Sequence, residues 1–435
     1  MYTVKFENPP KALMTDELID DYFDNKYADF LKIVDDGYFY WDELKHRKKM
    51  PYNDPLKAWS LIKLHRRGNF KRIKFGKTEF NYCLTESIQE NLHEFDLKLI
   101  GGLYKNPITS FHKAEYLKNS ILEEAISSSQ IEGAVTTTKV AFEMLKSGRK
   151  PRNESEQMIF NNLRSIKLIT EEIDKPLDFA LIIELHKTMT ASTSAEYCAG
   201  DFRDKQIYVQ DHIDGEIAHT PPDSELVKKY MEDLCEFANS EKPFIHPIIK
   251  ASIIHFQIGY IHPFMDGNGR TARALFYWFL VKKEYTLIKN ISISRAILNS
   301  RIQYDKAFLK TENDNNDMTY FINYSIKSLR VAFESLIKYR DKKKKDIEYA
   351  NLISYKILDK GLNKRQADLV GFLYSKEKAK INISSYSKKH DVVRQTARKD
   401  LNELVNAGLI IEDKDGRNVV FKISSKENID RYLEQ

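Results

Sequence analysis

Cysteine is scarce in this chain of 435 residues: Cys83, Cys198 and Cys235 stand far apart, odd in number and without a CxxC pair. Neither a disulfide framework nor a thiolate zinc site follows. Long apolar runs are missing too. The longest, Ala274 to Val281, is far short of the roughly 20 residues a membrane helix requires, and MYTVKFENPPK at the N-terminus has no signal-peptide core. Export and membrane partners are not expected; a cytoplasmic location is. Nor is one sign of charge in excess, because 69 Lys and Arg face 63 Asp and Glu for a formal +6. What is present, 42% apolar and 12% aromatic residues, suffices for packed cores and excludes a disordered chain. At about 100 to 200 residues per domain, the length predicts two to four domains.

Residues 1–95 form a first, helical region without recognisable chemistry, in which YFYWDELKHRKKMPYNDPLKAWSLIKLHRR reads as short polar helices broken by Pro51 and Pro55. From about residue 110 the helical period strengthens. Phe111, Ala114, Leu117, Ile121, Ala125 and Ile126 predict a helix running into SSSQIEG. Further helices are predicted at 154–172, 178–190 and 223–238. Between the last two, Ile207-Tyr208-Val209 is strand-like and Asp214-Gly215 a turn signal, giving one hairpin in a helical domain. His246-Pro247 opens a helix apolar on nearly every side, which must be central, and a second such helix begins near Arg270.

Beyond about residue 330 the composition shifts. Arg340 to Asp346 reads as a solvated helix face within a linker helix at 336–360. Over 361–435, helices at 365–374, 384–390 and 393–407 and a hairpin about Asp415-Gly416 follow the order of a winged helix-turn-helix. Residues 362–399 hold ten basic and three acidic side chains, and the presumed recognition helix offers Arg394, Gln395, Arg398 and Lys399, types that reach phosphates or base edges. Glu412, Asp413 and Asp415 bring the whole tail down to +4, so DNA contact and a protein-binding module both fit.

The informative segment is Ile261-His262-Pro263-Phe264-Met265-Asp266-Gly267-Asn268-Gly269-Arg270-Thr271-Ala272-Arg273. It is a loop with two glycines opening a helix, which turns backbone N–H groups and the positive helix end towards an anion such as phosphate. Asn268 adds an amide donor. Arg270 and Arg273, three residues apart, share a helix face and can grip successive phosphates. Asp266 is a hard carboxylate suited to one Mg²⁺ that also binds phosphate oxygens, and His262 can accept a hydroxyl proton as a neutral imidazole.

HPFMDGNGRxxR resembles the signature of the Fic family (filamentation induced by cAMP) of nucleotide transferases, HPFx[D/E]GNGRxxR. With each fixed position filled by chance about one time in twenty, eight coincide with odds on the order of 10⁻¹⁰ per start. Upstream, Ser128-Ser129-Gln130-Ile131-Glu132-Gly133 resembles the family's inhibitory motif [S/T]xxxE[G/N]. The resemblance implies a mainly α fold: a Fic-type helical bundle over 96–335 with a β-hairpin flap and an inhibitory helix near 117–135, ahead of the winged helix-turn-helix. It also implies protein AMPylation, the transfer of AMP from ATP to a Ser, Thr or Tyr hydroxyl with release of pyrophosphate.

In that reading His262 is the base, Asp266 holds Mg²⁺, and the N–H groups around Gly267, Asn268 and Gly269 stabilise developing charge. Arg270 takes the β-phosphate and Arg273 the γ-phosphate. Ile207, Tyr208 and Val209 dock a target segment, Tyr304 packs near adenine, and Asp305 stands where the family commonly has a second Tyr. Glu132, with Ser128 and Gly133, would pair with Arg273 and inhibit within the chain. The implied partners are ATP, an unidentified target protein, the chain itself as a target, and a second copy in a homodimer, which no stretch of sequence enforces. A bifunctional or AMP-removing enzyme fits the same residues, as does a DNA-binding regulator with a catalytically weak Fic domain.

Overall fold

The computed structural model describes residues 7–100, 110–210, 215–376, 379–416 and 418–434. The described residues are mainly α-helical with three small sheets, and the chain divides into two compact units, Met1–Ser335 and Leu336–Gln435.

The first unit opens with α1 (Asp16–Phe23), α2 (Ala28–Gly37), α3 (Trp41–Leu44) and α4 (Pro55–Asn69). Pro55, expected to break a helix, starts one: no N–H is needed at this position, and the Asp54 carboxylate accepts from the Leu56 N–H at 2.8 Å. An antiparallel pair, β1 (Lys71–Phe75) and β2 (Thr78–Tyr82), follows and is absent from the sequence reading. Lys71, Arg72, Lys74 and Glu79 mask the apolar positions Phe75, Phe80 and Tyr82, which are buried.

After α5 (Glu86–Leu99) come α6 (Ser110–Ile131), α7 (Thr138–Ser147), α8 (Glu154–Glu171) and α9 (Phe179–Thr190), then the hairpin β3 (Val209–Gln210) and β4 (Ile217–His219). The hairpin's expected turn at Asp214-Gly215 lies in part outside the described residues. Next are α10 (Val227–Asn239), α11 (Pro247–Ile261), α12 (Asn268–Lys282), α13 (Ile293–Asn299), α14 (Arg301–Asn313) and α15 (Thr319–Asp359). The division expected near residue 95 is not a break between compact units. Lys63 donates to Asp314 at 2.7 Å, Arg66 to the Tyr320 hydroxyl at 2.7 Å and the Tyr38 hydroxyl to Asp317 at 2.6 Å, all in the interior. Polar side chains can be buried there because these bonds partner them.

The centre of the bundle is α11 and α12. Ile248, Ile249, Ile253, Ile254, Phe256 and Ile258 of α11 are buried, as are Leu275 to Leu280 of α12. Helices apolar all round have to be enclosed, and α12 packs on α6, α8, α9 and α11. The loop that joins the two is thereby held on a rigid support.

In the second unit, Ile353 and Ile357 near the end of α15 pack with Leu369, Val370, Tyr386, Leu401 and Phe421. The span expected as a linker helix, 336–360, falls in α15 as far as Asp359, and the charge run from Arg340 lies largely exposed on it. The unit continues as α16 (Lys364–Ser375), β5 (Lys380–Ile381), α17 (Ile383–His390), α18 (Arg394–Asn406), β6 (Ile410–Asp415), β7 (Asn418–Ile423) and α19 (Lys426–Glu434), with strand order β5-β7-β6. Buried Asp400 anchors α18, accepting from Asn363, Arg365 and the Tyr386 hydroxyl. Among the described residues no helix is long and apolar enough to cross a membrane.

Candidate active site

Two left-handed residues bound the turn between α11 and α12. His262 caps α11 at φ 49° and Gly267 opens α12 at φ 80°. At 267 a side chain would be strained by that φ and would press on His186, whose ring stands 3.3 Å from a Cβ built there.

Three residues hold the turn's backbone. Asn268 accepts from the Phe264 N–H at 2.9 Å and donates to the Phe264 carbonyl at 2.8 Å. His186 on α9 accepts at Nδ1 from the Gly200 N–H at 2.9 Å, which leaves Nε2–H to donate to the Asp266 carbonyl at 2.8 Å, and its ring stacks on Phe264 at 3.7 Å. Buried Arg203 donates from its N–H to Pro263 at 2.8 Å and from Nε to the His262 carbonyl at 2.9 Å; its Nη2 reaches the Pro222 carbonyl. The turn and the base of the hairpin are thus fixed to each other.

The His262 ring places Nδ1 3.2 Å from the Gly259 carbonyl. A carbonyl only accepts, so the network assigns the proton to Nδ1 and leaves the Nε2 lone pair available. Burial, more than any neighbour, lowers the pKa to about 4, so the ring is neutral at pH 7. The Asp266 side chain is 54% exposed, accepts from the Gly267 N–H and lies 3.6 Å from Arg270. Behind it the first-turn N–H groups of α12 have no acceptor within their helix and carry its positive end.

The two arginines diverge. Arg270 is buried and donates to the Met189 carbonyl at 3.1 Å. Arg273 turns to α6, donating from Nε to the Ser128 hydroxyl at 2.9 Å and from Nη2 to the Ser128 carbonyl at 2.8 Å. Glu132 Oε1 lies 3.0 Å from the same Nη2. Burial opposes charge on this carboxyl, yet Arg273, Arg301 and Arg270 together hold it below the usual carboxylate range. Glu132 follows the last residue of α6, and Gly133 at φ 96° turns the chain away.

Residues 176–280 match the family model described as "Fic/DOC family". Residues 176–280 are thus similar to a Fic domain. Among curated proteins, "Protein adenylyltransferase Fic" of Nematostella vectensis is 28% identical over 201 residues, 45% of this chain and 45% of that protein. The Drosophila melanogaster protein of the same description is 32% identical over 124 residues, 28% of this chain and 24% of that one. The chain spans less than half the length of these relatives. The fold is similar to a crystal structure of a Fic family protein from Desulfovibrio desulfuricans G20, with TM-score 0.56 and 17% identity over 79% of this chain and 98% of that one. Fic-1 (residues 134–508) of C. elegans aligns at TM-score 0.50 and 18% identity, covering 74% of this chain and 87% of that one.

The structure brings His262, Asp266, Gly267, Gly269, Arg270 and Arg273 to the turn between α11 and α12 and the start of α12, with Ser128 and Glu132 against Arg273. Four of the expected site features have contacts of their own in the structure. The Asn268 amide is spent on Phe264 and is not a free donor to an anion, because the buried turn leaves the Phe264 N–H and carbonyl to be satisfied. Arg270 and Arg273, expected to share one face, donate to different helix-end carbonyls, Met189 and Ser128.

Tyr304 is only 6% exposed, in a cluster with Phe308, Phe321 and Tyr324, and its hydroxyl pairs with His255 at 2.9 Å; burying that ring required a partner for its oxygen. Ile207 and Tyr208 precede the strand, which pairs only Val209–Gln210 with Ile217–His219 across a register shift. Arg203 and His186, which position the Fic turn, are missing from the sequence reading. Neither has a spacing relationship to the motif that would reveal it.

Proposed function

We propose that this chain is a protein adenylyltransferase that transfers AMP from ATP to a Ser, Thr or Tyr hydroxyl of a target protein and is held back by Glu132. The observation that carries the reading is the juxtaposition of a neutral His262 with an open Nε2, an exposed Asp266 and an N–H-lined helix start whose Arg273 is occupied by the chain's own carboxylate. A carboxylate on that guanidinium mimics the terminal phosphate of a nucleotide, and such a competitor has no use at a site that never binds one.

In this reading His262 takes the proton of the incoming hydroxyl at Nε2, and the N–H groups of Asn268 and Gly269 at the start of α12 receive the charge that grows on the α-phosphate. Arg270 and Arg273 neutralise the outer phosphates. Among the described residues no group of three or more acidic, His or Cys side chains gathers to hold a metal ion. Asp266 alone, exposed beside the turn, fits a Mg²⁺ whose other ligands are water and phosphate oxygens. That ion would supply charge neutralisation across the phosphates. The pairing of Val209–Gln210 with Ile217–His219 leaves an edge to which a target segment can add as a strand.

The test is label from α-³²P-ATP on protein. Wild type labels slowly, Glu132→Gly labels targets and itself, and adding His262→Ala removes the label. If Glu132→Gly transfers nothing in the presence of Mg²⁺ and cell lysate, the assignment fails. Mass spectrometry that finds AMP lost from a premodified target would assign the removing direction instead.

For the second unit we propose a winged helix-turn-helix that contacts DNA through α18, where Arg394, Gln395, Arg398 and Lys399 are all exposed and Asp400 faces inward.

A further inference from the structure

Arg301 was no part of the sequence signature, yet it reaches the segment that carries Glu132. Its Nη1 donates to the Ile131 carbonyl at 2.6 Å, and its Nε is held by both carboxylate oxygens of Asp305, each at 3.0 Å. Ile131 is the last residue of α6, so its carbonyl is among those a helix cannot satisfy internally. The preceding turn closes on itself, Glu132 N–H to Ser129 and Gly133 N–H to Gln130. The Ile131 carbonyl is met from α14.

The Glu132 segment is therefore gripped from two helices. Arg273 of α12 holds Ser128 and the carboxylate, and Arg301 of α14 holds the residue before it. The charge of Arg301 acts in the same direction, favouring ionised Glu132. The two grips differ in what frees them: an anion that takes Arg273 competes with Glu132 directly, whereas it leaves the Ile131 carbonyl on Arg301. Asp305 stands where the resembling family commonly carries Tyr, and here its carboxylate fixes the guanidinium one helical turn away.

We infer that Arg301, oriented by Asp305, is a positioning residue that tethers the end of α6 and sets how often Glu132 vacates Arg273. This inference rests on the inhibitory reading of Glu132 and refines it. An anion site open for only a fraction of the time binds its ligand more weakly by that fraction, so loosening the tether strengthens nucleotide binding without adding a contact.

The experiment measures equilibrium binding of Mg²⁺-ATP to the full chain bearing Arg301→Gln or Asp305→Asn, each with Glu132 and with Glu132→Gly, and records label transfer in parallel. With Glu132 present, Arg301→Gln tightens ATP binding about threefold to tenfold and Asp305→Asn by less. With Glu132→Gly neither changes it. Hydrogen exchange over residues 128–134 rises in both variants. Unchanged affinity in the presence of Glu132 overturns the inference, and so does an equal change in its absence, which would make Arg301 a nucleotide ligand or a general support of the fold. Should Arg301→Gln fail to fold, Asp305→Asn decides alone, since it alters one partly exposed carboxylate. Absence of label from Glu132→Gly would count against the transfer reaction, which the affinity measurement does not depend on.

Discussion

Glu132 and Gly269 are in such close approach that a Cβ built on Gly269 would stand 2.9 Å from the Glu132 Cδ. The second glycine of GNGR is thus explained by the carboxylate that faces it. Glycine inside a helix ordinarily costs about 1 kcal/mol relative to alanine, so here that cost is accepted in exchange for room.

Gly269→Ala is accordingly expected to destabilise the chain by about 1–3 kcal/mol while Glu132 is present, as overpacking does. With Glu132→Gly the same change is expected to be neutral or stabilising, provided Arg273 Nη1, 3.1 Å from the added carbon, yields by a few tenths of an ångström. Thermal unfolding of the four proteins forms a double-mutant cycle. Equal losses in both backgrounds would show that the glutamate is not the obstruction.

Removing the Glu132 carboxylate also strands a charge. Arg273 is buried, and its Nη1 already has no partner. Breaking a fully buried pair costs roughly 3–5 kcal/mol; because the Glu132 side chain is 29% exposed, about 1–3 kcal/mol is expected for Glu132→Gly. Mg²⁺-ATP should then restore stability by linkage, since a ligand of the native state alone stabilises it as its concentration exceeds its dissociation constant. The thermal shift on adding nucleotide is expected to be larger in Glu132→Gly than in wild type. Equal shifts would contradict competition between the carboxylate and the nucleotide.

The turn that gathers the candidate site can be picked out from residue types alone, because His262, Asp266, Gly267 and Gly269 all fall between positions 262 and 269. What stayed hidden were contacts made at a distance. Asn268 looked like an anion donor, and only the packed turn reveals that Phe264 claims both of its polar atoms. Tyr304 is placed near adenine by the resemblance alone, and its pairing with His255 from α14 is a contact the sequence does not show. Arg203 and His186 lie in segments with no periodic relation to the motif. The strands β1 and β2 escaped notice for a local reason: long charged side chains on one face outweigh three buried aromatics in so short a window.

His262 supplies a pH prediction with a definite sign. Its folded pKa is pushed to about 4, chiefly by burial, below an unfolded value of about 6.5. The neutral ring thus contributes stability that is complete above about pH 6.5 and is lost as pH falls through about 4. The base is lost on the same protonation. For the free enzyme, kcat/KM for label transfer is therefore expected to hold from neutrality down to about pH 5 and to fall below it. The kcat profile should break at higher pH, because a bound triphosphate favours the imidazolium. A kcat/KM limb centred near 6.5 would mean that the ring is solvated or that another group is the base.

The second unit makes the last prediction, through the exposed side of α18. Asp400 anchors the helix through Arg365, Asn363 and Tyr386, which leaves Arg394, Gln395, Arg398 and Lys399 on the outer side. Lys399 is only 3.9 Å from Glu403, a weak exposed pair that a phosphate would displace. Each phosphate neutralised releases condensed counterions, so the full chain is expected to shift duplex DNA with an affinity that falls steeply with salt. Arg394→Ala or Arg398→Ala should lower the salt slope by about 1 each if that side chain meets a phosphate, and by less if it reads a base edge. These residues lie outside the first unit, so nucleotide labelling should not follow the loss of DNA binding. A shift that ignores salt, or that survives both substitutions together, would leave α18 as a surface for protein rather than for nucleic acid.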